Sequence, residues 1–224
     1  MWHGFLPDVK FFSTLVQFDE EIADKTRAAR CSCGGKLHRA DYPRKPRGIS
    51  VELEPFFCRR ISFCCNQEGC RARTTPLSLR FISRSVYVFV ILLLAAAAFC
   101  QQRVADDARR AATTTARSFD VPRRTLRRWL AFFVSILPSL SGFIAERSRF
   151  MPPLDETRLP LSLLERFSGD PSDQLLWALR FVAMITMPPN HRARYPILDL
   201  SPAELGFLCK TGFGVDSVCP EATM

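Results

Sequence analysis

The residues of this chain best suited to chemistry are thiols in two short groups: Cys31-Ser-Cys33-Gly-Gly and, about thirty residues downstream, Cys64-Cys65-Asn-Gln-Glu-Gly-Cys70. Thiolates are soft ligands that hold Zn²⁺ tetrahedrally, and two Cys knuckles on separate hairpins deliver four sulfurs to one point without a large core. The spacing therefore predicts a zinc ribbon whose structural ion is held by Cys31, Cys33, Cys65 and Cys70. A Cys-x4-Cys loop with Gly69 ahead of its second sulfur turns back comfortably on one ion. Cys64 is the alternative to Cys65, and His38 lies close enough downstream of Cys33 to replace one sulfur; the first pair is Cys-x-Cys rather than the commoner Cys-x2-Cys. The competing readings are buried small hydrophobes or the disulfides of an exported protein. Nine cysteines is an odd total, and Met1 to Lys10 lacks a basic start followed by an apolar core, so disulfides are the weaker expectation. Core packing suits Cys58 and Cys100, and no role is assigned to Cys209 or Cys219.

The elements around these thiols are basic. The formal charge is +9, but Arg30 to Leu130 holds 20 Lys or Arg against 7 Asp or Glu, while the rest of the chain holds 11 against 15. Such a cationic stretch concentrates polyanions and gains free energy from their released counterions, so nucleic acid is the first partner to consider and an anionic membrane surface the second. Arginine dominates, and its planar fork suits phosphate and guanine edges better than an ammonium does. A hydrophobic content of 47% allows an ordinary core.

Along the chain, 1–30 reads as a helical lid, 31–80 as the ribbon, 81–135 as a helical domain, and 136–224 as a helical region with a loose tail. The fold class expected is α+β, mostly α: a small antiparallel ribbon followed by helices. In the ribbon, Tyr42-Pro-Arg-Lys-Pro-Arg-Gly48 is extended by its prolines, Ile49 to Glu54 alternates as a half-buried strand, and Phe56 to Cys64 offers a second strand. Phosphate contacts are expected from Arg44, Lys45, Arg47, Arg71 and Arg73. The apolar run Val86 to Cys100 falls short of the roughly 20 residues needed to cross a bilayer, and four of its fifteen residues are alanines, so a buried helix is expected.

Val104 to Arg117 reads as one helix, Ser118-Phe-Asp-Val121 as a turn, and Pro122-Arg-Arg-Thr-Leu-Arg-Arg-Trp129 as the opening of another. Pro122 fits a first helical turn, and Asp120 suits both an αL turn and acceptance of free amide bonds. Val121, Leu126, Trp129 and Leu130 then share one face, with Arg123, Arg124, Arg127 and Arg128 spread around the helix start, where a recognition helix meets base edges. An ordinary helical hairpin with a basic surface is the bland equivalent.

On these residues the chain resembles the N-terminal region of insertion-sequence transposases, the ISL3 type in particular. The likeness rests on the Cys-Gly-Gly knuckle with His38, the Tyr42 to Gly48 loop, Arg59-Arg60 through Cys70-Arg-Ala-Arg73, and Thr125-Leu-Arg-Arg-Trp129, and it covers roughly residues 25 to 135. It implies a ribbon and a helix-turn-helix that bind double-stranded DNA. A later RNase H-like domain with an Asp-Asp-Glu metal site would be expected in that family. The stretch after Trp129 is too short for such a fold, so a non-catalytic accessory factor or transcription regulator, cytoplasmic and nucleoid-associated, is expected. A separate transposase or a second copy of the chain are its further expected partners; no small-molecule substrate is expected. Deaminase and metalloprotease signatures are absent. The alternatives are a membrane-associated protein anchored by 86–100 and a metal-dependent nuclease.

Overall fold

A computed structural model of the chain describes residues 9–45, 51–81, 89–105 and 107–186. The fold is mostly helical, with one small antiparallel sheet and a two-stranded ribbon beside it.

Helix α1 (Val9–Ala28) opens the described chain. Its apolar positions recur at helical spacing, so Phe11, Phe12, Leu15 and Ile22 are buried together while Glu21 and Asp24 face out. Five short strands follow: β1 (Leu37–Arg39), β2 (Tyr42–Pro43), β3 (Arg59–Arg60), β4 (Phe63–Cys65) and β5 (Arg73–Thr74). β4 lies between β1 and β5, antiparallel to both, with Leu37 opposite Cys65 and Cys64 opposite Arg73; β2 pairs with β3.

The ribbon differs from expectation between its knuckles. Ile49 and Ser50 lie outside the described residues, but Val51–Leu53 is a 3-10 turn running into helix α2 (Glu54–Phe57). Alternation over so few residues does not distinguish a strand from a helical turn with one buried face. Phe57 shows what decides it. Its ring is fully buried in T-shaped contacts with Phe12 and Phe81, 5.4 and 6.0 Å between centroids, which a helical turn beneath α1 can reach. The single strand expected over Phe56 to Cys64 is likewise two short ones, β3 and β4, separated by buried Ile61 and Ser62.

Helix α3 (Phe89–Ala105) is buried along Phe89 to Cys100, as its all-round apolar sequence requires of a central strut. The helix expected over Val104 to Arg117 is instead divided. α3 ends at Ala105, and Asp107 caps a new helix, α4 (Ala108–Ser118), by accepting the Arg109 amide at 3.1 Å. A carboxylate at a helix start is favoured by free amides and by the helix dipole, and this local preference outweighs the continuity of the pattern. Small residues Ala111, Ala112, Thr115 and Ala116 line the buried face of α4, and Thr115 donates to Gln102 on α3 at 2.8 Å.

The turn that follows is a Schellman motif: the Val121 amide reaches the Ala116 carbonyl at 2.9 Å, and the Asp120 amide reaches Arg117 at 3.3 Å. Asp120 occupies the αL position with φ 47, as expected for a short polar side chain. Pro122 is the N-cap of helix α5 (Arg123–Ala131), just before its first turn, and the cap has no side-chain bond, from Asp120 or any other residue. Val121, Leu126 and Trp129 are buried and Leu130 packs against them, the face read from the sequence. Beyond α5, a π-helical turn at Phe132–Ile136 leads to α6 (Ser141–Glu146), α7 (Leu161–Leu164) and α8 (Pro171–Ile185). α8 starts under an Asp170 cap with Pro171 in its first turn, and its Arg180 guanidinium lies over Trp177 at 4.6 Å and Phe18 of α1 at 5.2 Å. Residues 187–224, including Cys209 and Cys219, lie outside the described residues. Among the described residues no single helix is long and apolar enough to cross a membrane; 123–139 with 141–149 reach that length and composition only as a pair bent by 63°.

One buried ionic network joins α1 to the segment that leaves the ribbon. Asp19, fully buried, accepts from the Leu79 amide at 2.7 Å, from Arg80 Nε at 2.7 Å and from the Ser78 hydroxyl, while Arg80 also donates to the Phe56 carbonyl. Removing one partner of a buried pair leaves the other charge uncompensated. Asp19→Ala should therefore destabilise the protein by about 3–5 kcal/mol, measured by denaturant unfolding; a loss within experimental error would mean that the network does not hold α1 in place.

Candidate metal centre

Both knuckles are built from the backbone outward. α1 ends where Arg30 takes the left-handed conformation, φ 59, and turns the chain into Cys31. The Cys31 carbonyl then accepts the Gly34 amide at 2.8 Å, and its amide donates to the Gly35 carbonyl at 3.0 Å, closing a tight loop around Cys33. Gly34 sits at φ 82, a conformation glycine adopts without strain. At the second knuckle, Cys65 ends β4, the Gln67 amide points at the Cys65 sulfur at 3.4 Å, and the Cys70 amide donates to the Gln67 carbonyl at 3.2 Å. Gly69 at φ 86 and Arg71 at φ 45 turn the chain on either side of Cys70. The β1–β4 ladder sets one loop over the other.

The result is a cluster of Cys31, Cys33, Cys65 and Cys70 whose sulfurs all lie within 4.8 Å of one another. Cys31 and Cys70 are 3.8 Å apart, and Cys33 and Cys65 are 3.5 Å apart. Four sulfurs at the usual zinc–sulfur bond length on a tetrahedron are separated by about 3.8 Å, whereas a disulfide needs about 2 Å. The thiols are free, and the four of them can hold a metal ion.

The surroundings fit such an ion. Gly35 has no room for a side chain: a Cβ there would stand 2.6 Å from the Cys65 sulfur. The Cys33 amide and side chain pull the Cys31 thiol down to about 6 against the effect of burial. Although the Gln67 amide pulls the other way, burial and the neighbouring sulfurs push Cys65 up to about 12. A cation that takes four thiolates displaces the protons the thiols carry. Ala23 of α1, Leu37, Ile61 and Phe63 cover the buried side. The same helix is tied to β1 by Glu20, which takes two bonds from Arg39 at 2.7 Å each.

Of the two alternative ligands, neither joins the cluster. Strand alternation turns Cys64 away from Cys65, and its thiol lies 3.6 Å from the Arg71 carbonyl. His38 stands opposite Cys64 on β1 and is exposed. Cys100 is buried, donates to the Leu159 carbonyl at 3.3 Å, and is pushed up to about 11 by burial; Cys58 is only half-buried, with its thiol toward Pro55. Gly35 and the Gln67 amide are the two parts of the centre that ligand spacing did not single out; the only signal was the doubled glycine after Cys33.

The other sequence-derived site residues fall in three groups. Arg123, Arg124, Arg127 and Arg128 are exposed on α5, and none has a side-chain partner among the described residues. Lys45 and Arg71 are exposed on the ribbon; Arg73 is exposed but bonded to the Ala40 carbonyl and Ser62, and Arg44 is half-buried with its guanidinium over Phe81 at 5.5 Å. Arg47 lies outside the described residues.

No family model matches the chain, and neither a curated protein nor a solved structure matches it.

Two measurements check the centre. Cys31→Ser or Cys70→Ser should abolish metal retention while Cys64→Ser retains it, read by elemental analysis of purified protein; loss in the Cys64 variant would move the ligand set. Gly35→Ala should weaken metal affinity by about tenfold or more, the effect typical of residues that position ligands, read by chelator competition; unchanged affinity would mean that the close approach of Gly35 to Cys65 is not needed.

Proposed function

We propose that this chain is a non-catalytic, zinc-stabilised protein that binds double-stranded DNA. Four thiolates without a carboxylate or an open position favour a structural Zn²⁺ over a catalytic one. In this reading Cys31, Cys33, Cys65 and Cys70 hold the ion, Arg123, Arg124, Arg127 and Arg128 meet base edges and adjoining phosphates, and Arg44, Lys45, Arg47, Arg71 and Arg73 contact the phosphate backbone.

The observation that carries the reading is the division of α5. Leu126 and Trp129 anchor one face in the core, and four partnerless arginines project from the other within two turns of a helix start. Arg80 is bonded inside to Asp19 and Arg39 on the surface to Glu20, whereas the arginines on α5 have no such partner among the described residues. A helix presented this way matches the recognition element that enters a major groove. With the transposase likeness, it supports an accessory factor or transcription regulator of mobile-element origin.

Binding to duplex DNA should weaken steeply with salt, with a log–log slope of about −4 or steeper if four or more phosphates are neutralised. Arg124→Ala with Arg127→Ala should relax sequence preference, each lost bidentate contact costing about 1–3 kcal/mol of discrimination, whereas Lys45→Ala should weaken all sequences alike. Mobility-shift titrations across salt and across a selected site and its mutants read both. A flat salt response, or preference that survives the double substitution, would overturn the assignment of α5.

A further inference from the structure

A second basic feature lies on the far side of the first knuckle. Arg27 in the last turn of α1, Arg30 at its left-handed exit, and Lys36 and His38 leading into and along β1 line, with Ala28 and Leu37, an open concavity of about 430 Å³. No acidic side chain lines it. Among the described residues, none of the four polar side chains has a hydrogen-bond or ion-pair partner. The contrast with the next residue on β1 is direct: Arg39, on the opposite face of the strand, is held by both Glu20 and Asp41.

Three guanidinium or ammonium groups around one hollow repel one another unless something anionic sits between them. Among the described residues, no side chain lining the hollow supplies that anion. Nor are these groups on loose chain: Arg30 adjoins Cys31, and Lys36 follows Gly35 beneath Cys65, so both walls are attached to the cysteine cluster. Forked and point-charge donors lining a small open hollow suit a tetrahedral phosphate, which offers acceptor oxygens in several directions.

We propose that this concavity is a phosphate-binding site that receives a backbone phosphate of the bound nucleic acid. The choice of nucleic acid as the source rests on the function proposed above; the site itself rests on the concavity and its unpaired donors. It adds Arg27, Arg30, Lys36 and His38 as a backbone grip separate from α5, so that one phosphate-gripping element is carried by the metal-organised ribbon and the base-reading element by the helices.

The test uses the full chain with its metal and the double variant Arg27→Gln/Lys36→Gln, with metal content and thermal midpoint as folding controls. The ring signals of His38, assigned with His38→Gln, are followed by NMR during addition of duplex DNA and, separately, of inorganic phosphate at constant ionic strength. The expected result is movement of the His38 signals with both probes, loss of that movement in the double variant, and a salt slope for DNA binding reduced by about 1, one phosphate's worth, with sequence preference unchanged. DNA binding with the same slope in the double variant and unmoved His38 signals would overturn the site and leave the function of α5 standing. Movement with inorganic phosphate in a protein that binds no duplex would overturn nucleic acid as the ligand, and with it the proposed function.

Discussion

The convergence of four sulfurs is the constraint on which the ribbon depends. Ala23, Leu37, Ile61 and Phe63 make a core too small to fix five strands of two or three residues each. What fixes them is the meeting of Cys31 and Cys33 with Cys65 and Cys70, which pins the end of α1 and the start of β1 onto β4. Left to themselves, thiolates at such distances repel, and the cluster answers by lowering one thiol and raising others. A bound divalent cation would reverse that sign and tie the four sulfurs together.

That tie reaches the rest of the protein through α1. On one side the helix covers the cysteine cluster with Ala23 and binds β1 through Glu20; on another, its buried Asp19 gathers Ser78, Leu79 and Arg80, after which the Arg80 carbonyl accepts the first described amide of α3, that of Phe89, at 2.9 Å. Its phenylalanines join the same apolar cluster as α3, α5 and α8. The arginines divide accordingly. Arg60, Arg80 and Arg180 are buried and bonded or stacked within the fold, while those of α5 and of the first-knuckle concavity are exposed and have no partner among the described residues. Arg39 shows that exposure alone does not separate them: it is exposed yet held by Glu20 and Asp41.

Much of this was legible in the sequence. Cysteine spacing identified all four sulfurs of the cluster, because ligand geometry constrains spacing more tightly than any packing preference does. The αL turn at Asp120 and the buried face of Leu126 and Trp129 were equally visible, since both follow from local chemistry and helical period. Residues 51–57 were not: alternation there suggested a strand, and the helical turn is set by Phe57 reaching Phe12 and Phe81, contacts distant in sequence. The break before α4 was missed because apolar periodicity continues across it, while the cap at Asp107 decides the boundary. The concavity of Arg27, Arg30, Lys36 and His38 joins residues on both sides of a knuckle, and only the folded chain brings them together.

X-ray absorption at the zinc edge on purified, metal-loaded protein tests the central claim most directly. Four sulfur scatterers at about 2.3 Å, with no nitrogen or oxygen in the first coordination sphere, are the expected result. A mixed nitrogen and sulfur shell, or protein that retains no metal and carries disulfides among Cys31, Cys33, Cys65 and Cys70, would contradict it.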